Sequence, residues 1–164
     1  MQITLEEFYR RYDAGERDFT GLELPIEERE LLRFRGIPSG VILKRAKLSG
    51  AVLEEIQMES VDLSFADLSQ TALAEAIFDD TKMEGANFQG AYGSQICFRN
   101  CNLRYTKFRE ACLSDVSAVN CDFSFASFKG AFRDWDIKTV DCIFHETMTA
   151  DGQTWEESPS GSIK

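Results

Sequence analysis

The 164-residue sequence lacks the features that mark membrane-spanning, secreted or catalytic proteins. It has no apolar run long enough to cross a bilayer, and its first residues lack the apolar core of a signal peptide. Histidine occurs once, as His145, without a Cys or Asp partner at a catalytic spacing, and no glycine-rich phosphate loop is present. These absences predict a soluble, cytoplasmic protein of one domain that is not an enzyme and uses no cofactor or metal.

The cysteines do not have the pattern of a disulfide-stapled or zinc protein. They are an odd number, five, and include no Cys-x-x-Cys spacing. They are Cys97, Cys101, Cys112, Cys121 and Cys142. This pattern argues against a secreted disulfide framework and against a zinc site.

The sequence does contain a repeat with a period of five, which extends over residues 41–144. From position 43 to position 128, every fifth residue is Leu, Met or Phe, except at Gly93 and Ala118. A second row, two residues earlier, holds only Ala, Val, Ile, Thr or Cys. Neither the helical period of 3.6 nor the strand period of 2 produces such a pattern, so the repeat predicts a solenoid.

Four copies show the repeat most clearly: Ala66-Asp67-Leu68, Ala86-Asn87-Phe88, Cys101-Asn102-Leu103 and Cys121-Asp122-Phe123. They resemble the Ala-Asp/Asn-Leu-X-X pattern of the pentapeptide repeat family, including its cyanobacterial members. The resemblance implies an all-β solenoid, namely a right-handed, four-sided parallel β-helix with four repeats in each coil. Residues 41–144 would then form about five coils, with Leu or Phe filling the interior.

Both ends of the repeat need a cover, because a solenoid exposes apolar core and unpaired backbone at its terminal coils. Thr4 and Glu7 have the spacing of a capping box, and apolar residues follow at helical spacing, which predicts a helix over residues 5–14. We therefore assign residues 1–40 to an N-terminal helical cap. Residues 145–164 form a C-terminal tail in which Trp155 plugs the last coil.

Two positions depart from the repeat. After Phe128 the pattern is one residue short, which predicts a deletion at one corner and places Val140 in the inward column that begins at Val41. Gly93 has no side chain where the other repeats have Leu or Phe, which predicts a local void.

Cys101 and Cys121 are separated by four repeats, so they would occupy equivalent inward positions in adjacent coils. Their Cα atoms would be about 4.8 Å apart, within the range that a disulfide requires. Two interpretations remain open: two reduced core residues, or a disulfide that staples the two coils. A count of five free thiols in the denatured, unreduced protein would contradict the disulfide.

Aromatic residues recur at one outward corner of successive coils. The predicted corner contains Phe65, Tyr105, Phe125 and Phe144. Such a stripe is typical of a partner or dimer surface. The alternatives are scattered exposed aromatics or contacts with the protein's own termini.

The formal net charge of −10 is distributed unevenly. Residues 54–84 hold nine acidic residues against the single Lys82, and residues 99–109 form a basic band. In the predicted register Glu84 would pair with Arg104. The charge suits a soluble surface that resists association, or alternatively a mimic of a polyanion.

We therefore expect a non-enzymatic binding or scaffold protein of unknown partner that acts through its outer surface. It would be a monomer or weak dimer and would not bind nucleic acid directly. The family resemblance allows an alternative, a DNA-mimic modulator of a type II topoisomerase such as gyrase. A structural protein in stress or redox response is a third possibility.

Overall fold

The computed structural model describes residues 1–131 and 137–155 and shows a four-sided parallel β-helix, as the repeat predicts. Parallel bridges join residues four repeats apart on successive coils, as in the column Ile42, Asp62, Lys82, Asn102 and Asp122. We number the four sides of each coil in chain order, so that in residues 41–60 they are 41–45, 46–50, 51–55 and 56–60. Four such coils, each of four repeats, cover residues 41–120.

The strands of the parallel sheets are short and lie on two of the four sides. A five-stranded parallel sheet forms side 4 and consists of β1 (Gln57–Glu59), β2 (Ile77–Asp79), β4 (Cys97–Arg99), β6 (Val116–Val119) and β7 (Ile137–Val140). A parallel pair on side 3 consists of β3 (Tyr92–Ser94) and β5 (Cys112–Ser114). The other sides are joined by single bridges rather than by extended ladders.

The Asp or Asn of each repeat has a local structural role. In five copies its side-chain oxygen accepts a hydrogen bond from the backbone N–H two residues later. The acceptors are Asp62 at 3.1 Å, Asp67 at 3.1 Å, Asn87 at 3.2 Å, Asn102 at 3.1 Å and Asp122 at 2.8 Å. This bond satisfies a backbone donor as the chain approaches the corner, where the residues have positive φ. The Asp/Asn of the repeat therefore supports the turn.

Phenylalanine rings fill the interior in parallel stacks that run from coil to coil. On side 2 the Phe88 and Phe108 ring centroids are 4.9 Å apart, and those of Phe108 and Phe128 are 5.0 Å apart, with interplanar angles of 11°. On side 4 Phe78 and Phe98 stack at 5.2 Å. The repeat predicts this core correctly, because inward residues of successive coils are in register.

Short helices cover the N-terminal end. Helix α1 (Leu5–Asp13) is capped by Thr4, whose hydroxyl accepts a hydrogen bond from the Glu7 N–H at 3.2 Å. It is followed by α2 (Ile26–Arg29) and α3 (Leu32–Arg35). Between α1 and α2, bridges from Asp18 and Glu23 to the first coil show one repeat-like turn.

The last coil is longer than the others, not shorter. Val116 pairs with Ile137, and Asp122 pairs with Ile143, so each pair is one residue further apart than the four repeats of the earlier coils. The predicted deletion is therefore wrong. Ser127 still pairs with Lys107 at the regular spacing, so the extra residue follows Ser127. Most of the segment in which the deletion was predicted, residues 132–136, lies outside the described residues.

The longer coil moves every later residue by one position. Val140 is exposed on side 4 and does not point inward. Cys142 occupies the inward position that the sequence analysis assigned to Val140. A hairpin of β8 (Thr147–Met148) and β9 (Thr154–Trp155) follows, with a turn at Asp151-Gly152. The side chain of Trp155 and residues 156–164 are outside the described residues.

Gly93 is a point of close backbone approach rather than a void. Its φ is +153°, and a Cβ added there would lie 2.6 Å from the backbone nitrogen of Ala74 and 2.8 Å from the carbonyl carbon of Leu73. A side chain in this conformation would collide with the preceding coil. Glycine is therefore required where the repeat otherwise has Leu or Phe.

We expect Gly93→Ala to lower the free energy of unfolding by about 1–3 kcal/mol, since it combines an unfavourable φ with a backbone clash. Gly50→Ala is the matched control: Gly50 also has a positive φ, but nothing lies within 4 Å of its added Cβ. Urea unfolding of both variants measures the difference. Stabilisation by Gly93→Leu would instead support the void.

Among the described residues, no helix has both the length and the apolar composition that crossing a membrane requires.

Candidate interaction surface

Three aromatic side chains project from the corner between sides 1 and 2. We call Phe65, Tyr105 and Phe125 the aromatic corner. Phe65 is 54% exposed and Tyr105 is 47% exposed, whereas Phe125 is half-buried. The rings of Tyr105 and Phe125 stack with centroids 4.8 Å apart and an interplanar angle of 6°. The corner therefore presents an ordered aromatic strip.

Glycine makes room for the first ring of this strip. A Cβ added at Gly85 would lie 2.6 Å from Cδ1 and 2.7 Å from Cε1 of Phe65. The Phe65 ring therefore lies over the place where a side chain of the next coil would start. Since Gly85 has no side chain, the Phe65 ring can occupy this space between Phe65 and Tyr105.

Phe144, which the sequence analysis placed at this corner, is not part of it. Phe144 is fully buried, and its ring stacks on that of Phe123 at 5.0 Å with an interplanar angle of 3°. The reason is the longer last coil, which moves Phe144 into the interior column and leaves Glu146 at the corner with positive φ. His145 instead contacts the strip, with its ring edge against Phe125 at 5.4 Å.

Arg104 holds the strip from side 1. Its guanidinium carbon is 5.6 Å from the Tyr105 ring centroid and 5.4 Å from that of Phe125. Its Nη1 donates to Oδ2 of Asp122 at 3.1 Å, so the predicted pairing with Glu84 is wrong. The guanidinium is therefore fixed beside both rings by an acid of the next coil.

Asp122 is a charged group whose ionised form is stabilised by the fold. Partial burial acts to raise the pKa of Asp122, but hydrogen bonds from the Ser124 hydroxyl and amide, together with Arg104, outweigh it. The pKa of Asp122 consequently lies below its usual value. Asp62 repeats the arrangement with Ser64 and Lys44, and the pKa of its carboxyl is also lowered.

We expect Asp122→Asn to lower the free energy of unfolding at pH 7 by about 1–3 kcal/mol, because a neutral amide oxygen accepts weaker hydrogen bonds from Ser124 and Arg104 than a carboxylate does. A folded-state pKa below the unfolded value stabilises the fold above about pH 4 and ceases to do so as pH falls through the folded pKa. The difference in free energy of unfolding between the original protein and the variant should therefore become smaller at low pH. Urea unfolding between pH 7 and pH 2.5 tests this. Asp115→Asn, at an exposed corner, is the control, and an unchanged deficit at low pH would contradict the interpretation.

The β-helix separates charge by side rather than by half of the chain. In the three described coils that carry charge on side 3, its charged outward residues are all acids, namely Glu54, Glu55, Glu75 and Asp115. Side 2 has more basic residues than acidic ones, and its basic members are Lys47, Lys107, Arg109 and Lys129. The basic band of the sequence is thus divided among three sides, because the four repeats of one coil lie on four different sides.

The cysteines are all free thiols in the structure. Cys101 and Cys121 occupy the same inward position of side 1, one coil apart, as expected, and both are buried. The disulfide between them stays a prediction. The structure adds Cys142 as a third member of this column, in the place that the sequence analysis gave to Val140.

One surface was missed by the sequence analysis. Ile26, Leu31 and Phe34 of the N-terminal cap are exposed, with Phe34 70% exposed, and a shallow groove beside them is lined by Leu5, Glu6, Glu28, Leu31, Phe34 and Arg35. The segment that carries them forms two four-residue helices, which bury only Leu32 among their apolar residues.

Comparison with known proteins matches the repeat to an established family model. The model described as "Pentapeptide repeats" matches in eight copies over residues 39–71, 56–92 and 96–132. Comparison with curated protein sequences gives no match.

Solved structures of pentapeptide repeat proteins are similar to this chain. QnrB1, described as a plasmid-mediated fluoroquinolone resistance protein, is 18% identical, with a TM-score of 0.53 over 87% of this chain and 70% of QnrB1. HetL from the cyanobacterium Nostoc sp. strain PCC 7120 is 17% identical, with a TM-score of 0.38 over 93% of this chain and all of HetL. Rfr23 from the cyanobacterium Cyanothece 51142 is 24% identical, with a TM-score of 0.32 over 63% of this chain and 62% of Rfr23. At these identities the QnrB1 similarity supports the fold alone.

Proposed function

Because the chain belongs to the pentapeptide repeat family, we propose that it is a non-enzymatic binding protein that contacts a protein partner through the outside of its β-helix. The observation that carries the proposal is the aromatic corner, where exposed Phe65 and Tyr105 stand on a backbone that is hydrogen-bonded to the coils on either side. Exposed aromatic residues beside an arginine are enriched in protein interfaces. The interior offers no comparable surface, since it is filled by Leu, Met and Phe side chains.

The rigidity of the corner favours binding. The Tyr105 and Phe125 rings are stacked on each other and held by Arg104, so little side-chain freedom remains to be lost when a partner covers them. A partner that covers the strip would gain apolar contact with the ring edges. It would also meet Arg104, whose charge is balanced by Asp122.

Substitution of the stacked pair tests the proposal. We expect the double variant Tyr105→Ser/Phe125→Ser to capture at least about tenfold less of the partner than the original protein does, because interface aromatics often contribute about 2 kcal/mol or more. Tyr92→Ser is the matched control, since Tyr92 is 52% exposed but lies on side 3. Affinity capture from the source cells, quantified by mass spectrometry, gives the measurement.

The two variants separate the corner from exposed aromatics in general. Loss of the same partner from the double variant, with retention by Tyr92→Ser, supports the proposal. Equal capture by the double variant contradicts it. Sedimentation at several concentrations shows whether the partner is a second copy of the chain.

A second candidate function is favoured by the charge of side 3. Four acids and no basic residue on side 3 within residues 51–120 are compatible with a DNA mimic that modulates a type II topoisomerase, and QnrB1 is a fluoroquinolone resistance protein of similar fold. Against it, side 2 is basic. A gyrase supercoiling assay with and without a fluoroquinolone tests this candidate: inhibition or drug protection favours the mimic, and no effect favours a different partner.

A further inference from the structure

Three cysteine side chains form an inward column on side 1. Cys101, Cys121 and Cys142 occupy the same position in three successive coils, because Asn102 bridges to Asp122 and Asp122 bridges to Ile143. Cys101 and Cys121 are buried, and Cys142 is half-buried. Earlier coils have Val41, Val61 and Thr81 at this position, so three thiols meet only at the C-terminal end of the column.

The thiols of Cys121 and Cys142 are held in the protonated form. Contact with the Cys101 thiol, and then burial, raises the pKa of Cys121 to about 12, despite an opposing effect of Cys142. Contact with Cys121, and then burial, raises the pKa of Cys142 as well. The thiol of Cys101 donates to the carbonyl oxygens of Arg99 at 3.1 Å and Phe78 at 3.4 Å. Peroxides and alkylating agents react with thiolates, so the thiols of Cys121 and Cys142 are poor sites for oxidation.

A metal ion that binds strongly enough can displace the thiol protons. Adjacent coils of a β-helix are separated by about 4.8 Å, and a metal–thiolate bond is about 2.3 Å long, so two collinear bonds span about 4.6 Å. An ion midway between two stacked sulfurs would therefore fit the rise of the coil. Soft thiolate ligands select soft ions such as Cu(I).

The column suits two ligands and no more. Sulfurs stacked in a line do not surround a tetrahedral ion, and in residues 1–131 and 137–155 no group of three or more His, Cys, Asp or Glu side chains is arranged to hold a metal. Zinc, which prefers four ligands, is thereby disfavoured. A d10 ion that accepts linear two-coordination is the remaining match.

A cavity gives access to the column from outside. A cavity of about 350 Å³ lies at the seam between sides 4 and 1, and Cys101 and Cys121 are part of its wall. Its other charged and amide lining residues are Asn100, Asn102, Asn120, Arg104, Asp122 and Asp141.

We propose that Cys121, together with Cys101 or Cys142, binds one Cu(I) ion in linear two-coordinate geometry. Two S–H bonds break and two Cu–S bonds form, two protons leave to solvent, and no electron is transferred. The product carries one negative charge. Because both possible pairs share Cys121, the column holds one ion at a time.

Anaerobic titration with Cu(I) in competition with a colorimetric chelator tests the proposal on the full chain. We expect one ion per chain, two protons released per ion, and two sulfur ligands without nitrogen in X-ray absorption. Cys121→Val should weaken the affinity by on the order of a hundredfold or more, since it removes the shared ligand. Valine occupies the same inward position at Val41 and Val61, so the fold should be retained, and circular dichroism checks this.

Two further variants complete the test. Cys112→Val, at an exposed position on side 3, should leave Cu(I) binding unchanged. Cys101→Val should retain binding through Cys121 and Cys142. Unchanged affinity in Cys121→Val, or three or more ligands in X-ray absorption, would overturn the proposal.

Discussion

Phe123→Ala is expected to lower the free energy of unfolding by about 3–5 kcal/mol, the range for a large aromatic removed from a close-packed core. Phe123 is 1% exposed, and its ring contacts those of Phe98, Phe128 and Phe144 at centroid distances of 6.5, 6.0 and 5.0 Å. Removal leaves a cavity that the rigid backbone ladders on both sides cannot close. Urea or thermal unfolding measures the loss.

The control for this prediction is two residues away. Phe125→Ala deletes the same ring from the outward corner, where it stacks on Tyr105 and is half-buried. We expect a loss of about 1 kcal/mol, from the stacking contact and partial burial. Similar losses in the two variants would contradict the assignment of alternate residues to the interior and the corner.

Phe8→Ala is expected to have an effect of similar size, about 3–5 kcal/mol, but at one end of the molecule. Phe8 is 1% exposed, and its ring meets that of Phe19 at 4.6 Å with an interplanar angle of 63°. The contact joins α1 to the repeat-like turn that covers the first coil. Without it, the cap should separate from the first coil.

Hydrogen exchange distinguishes this local effect from global unfolding. In a solenoid each coil contacts only its neighbours, so weakening the cap should increase exchange in residues 17–50 and leave later coils protected. Phe34→Ala is the control, since Phe34 is 70% exposed in the same cap. Uniformly faster exchange along the chain would show instead that the coils unfold as one unit.

The core and the register of the first coils could be predicted from the sequence, because a period of five assigns each residue to the interior or the surface. Residues such as Leu43, Phe88 and Cys101 are buried as the repeat requires. The aromatic corner also follows from the period as far as Phe125. Prediction fails beyond the point where the period changes.

The failure at Phe144 has a physical cause. Val140-Asp141-Cys142 has Asp at the position where the repeat favours Asp or Asn. This match suggested a register in which Val140 points inward, and that register is wrong. The segment Cys142-Ile143-Phe144 has the same small-x-Phe pattern as Cys121-Asp122-Phe123 in the preceding coil. Burial of a phenylalanine in the core outweighs a single hydrogen bond to a turn, so the apolar pattern decides the register.

Other features depend on three-dimensional proximity that the period does not encode. Glu84 belongs to the coil before that of Arg104, and Asp122 belongs to the coil after it. Arg104 pairs with Asp122, because this orientation also places its guanidinium beside the stacked rings of Tyr105 and Phe125. The exposed Phe34 could not be predicted from helical spacing, because the segment forms two short helices rather than one. Residues of like charge are grouped in blocks along the sequence, but the fold distributes each block over different sides of the β-helix.

The parallel phenylalanine stacks also give the protein an intrinsic optical signal. Rings that face each other in a fixed, asymmetric interior contribute to the phenylalanine region of the near-ultraviolet circular dichroism spectrum, whereas freely rotating rings do not. Phe88, Phe108 and Phe128 form one such stack across three coils. The order of the interior can thus be followed without a label, and separately from the far-ultraviolet signal of the backbone.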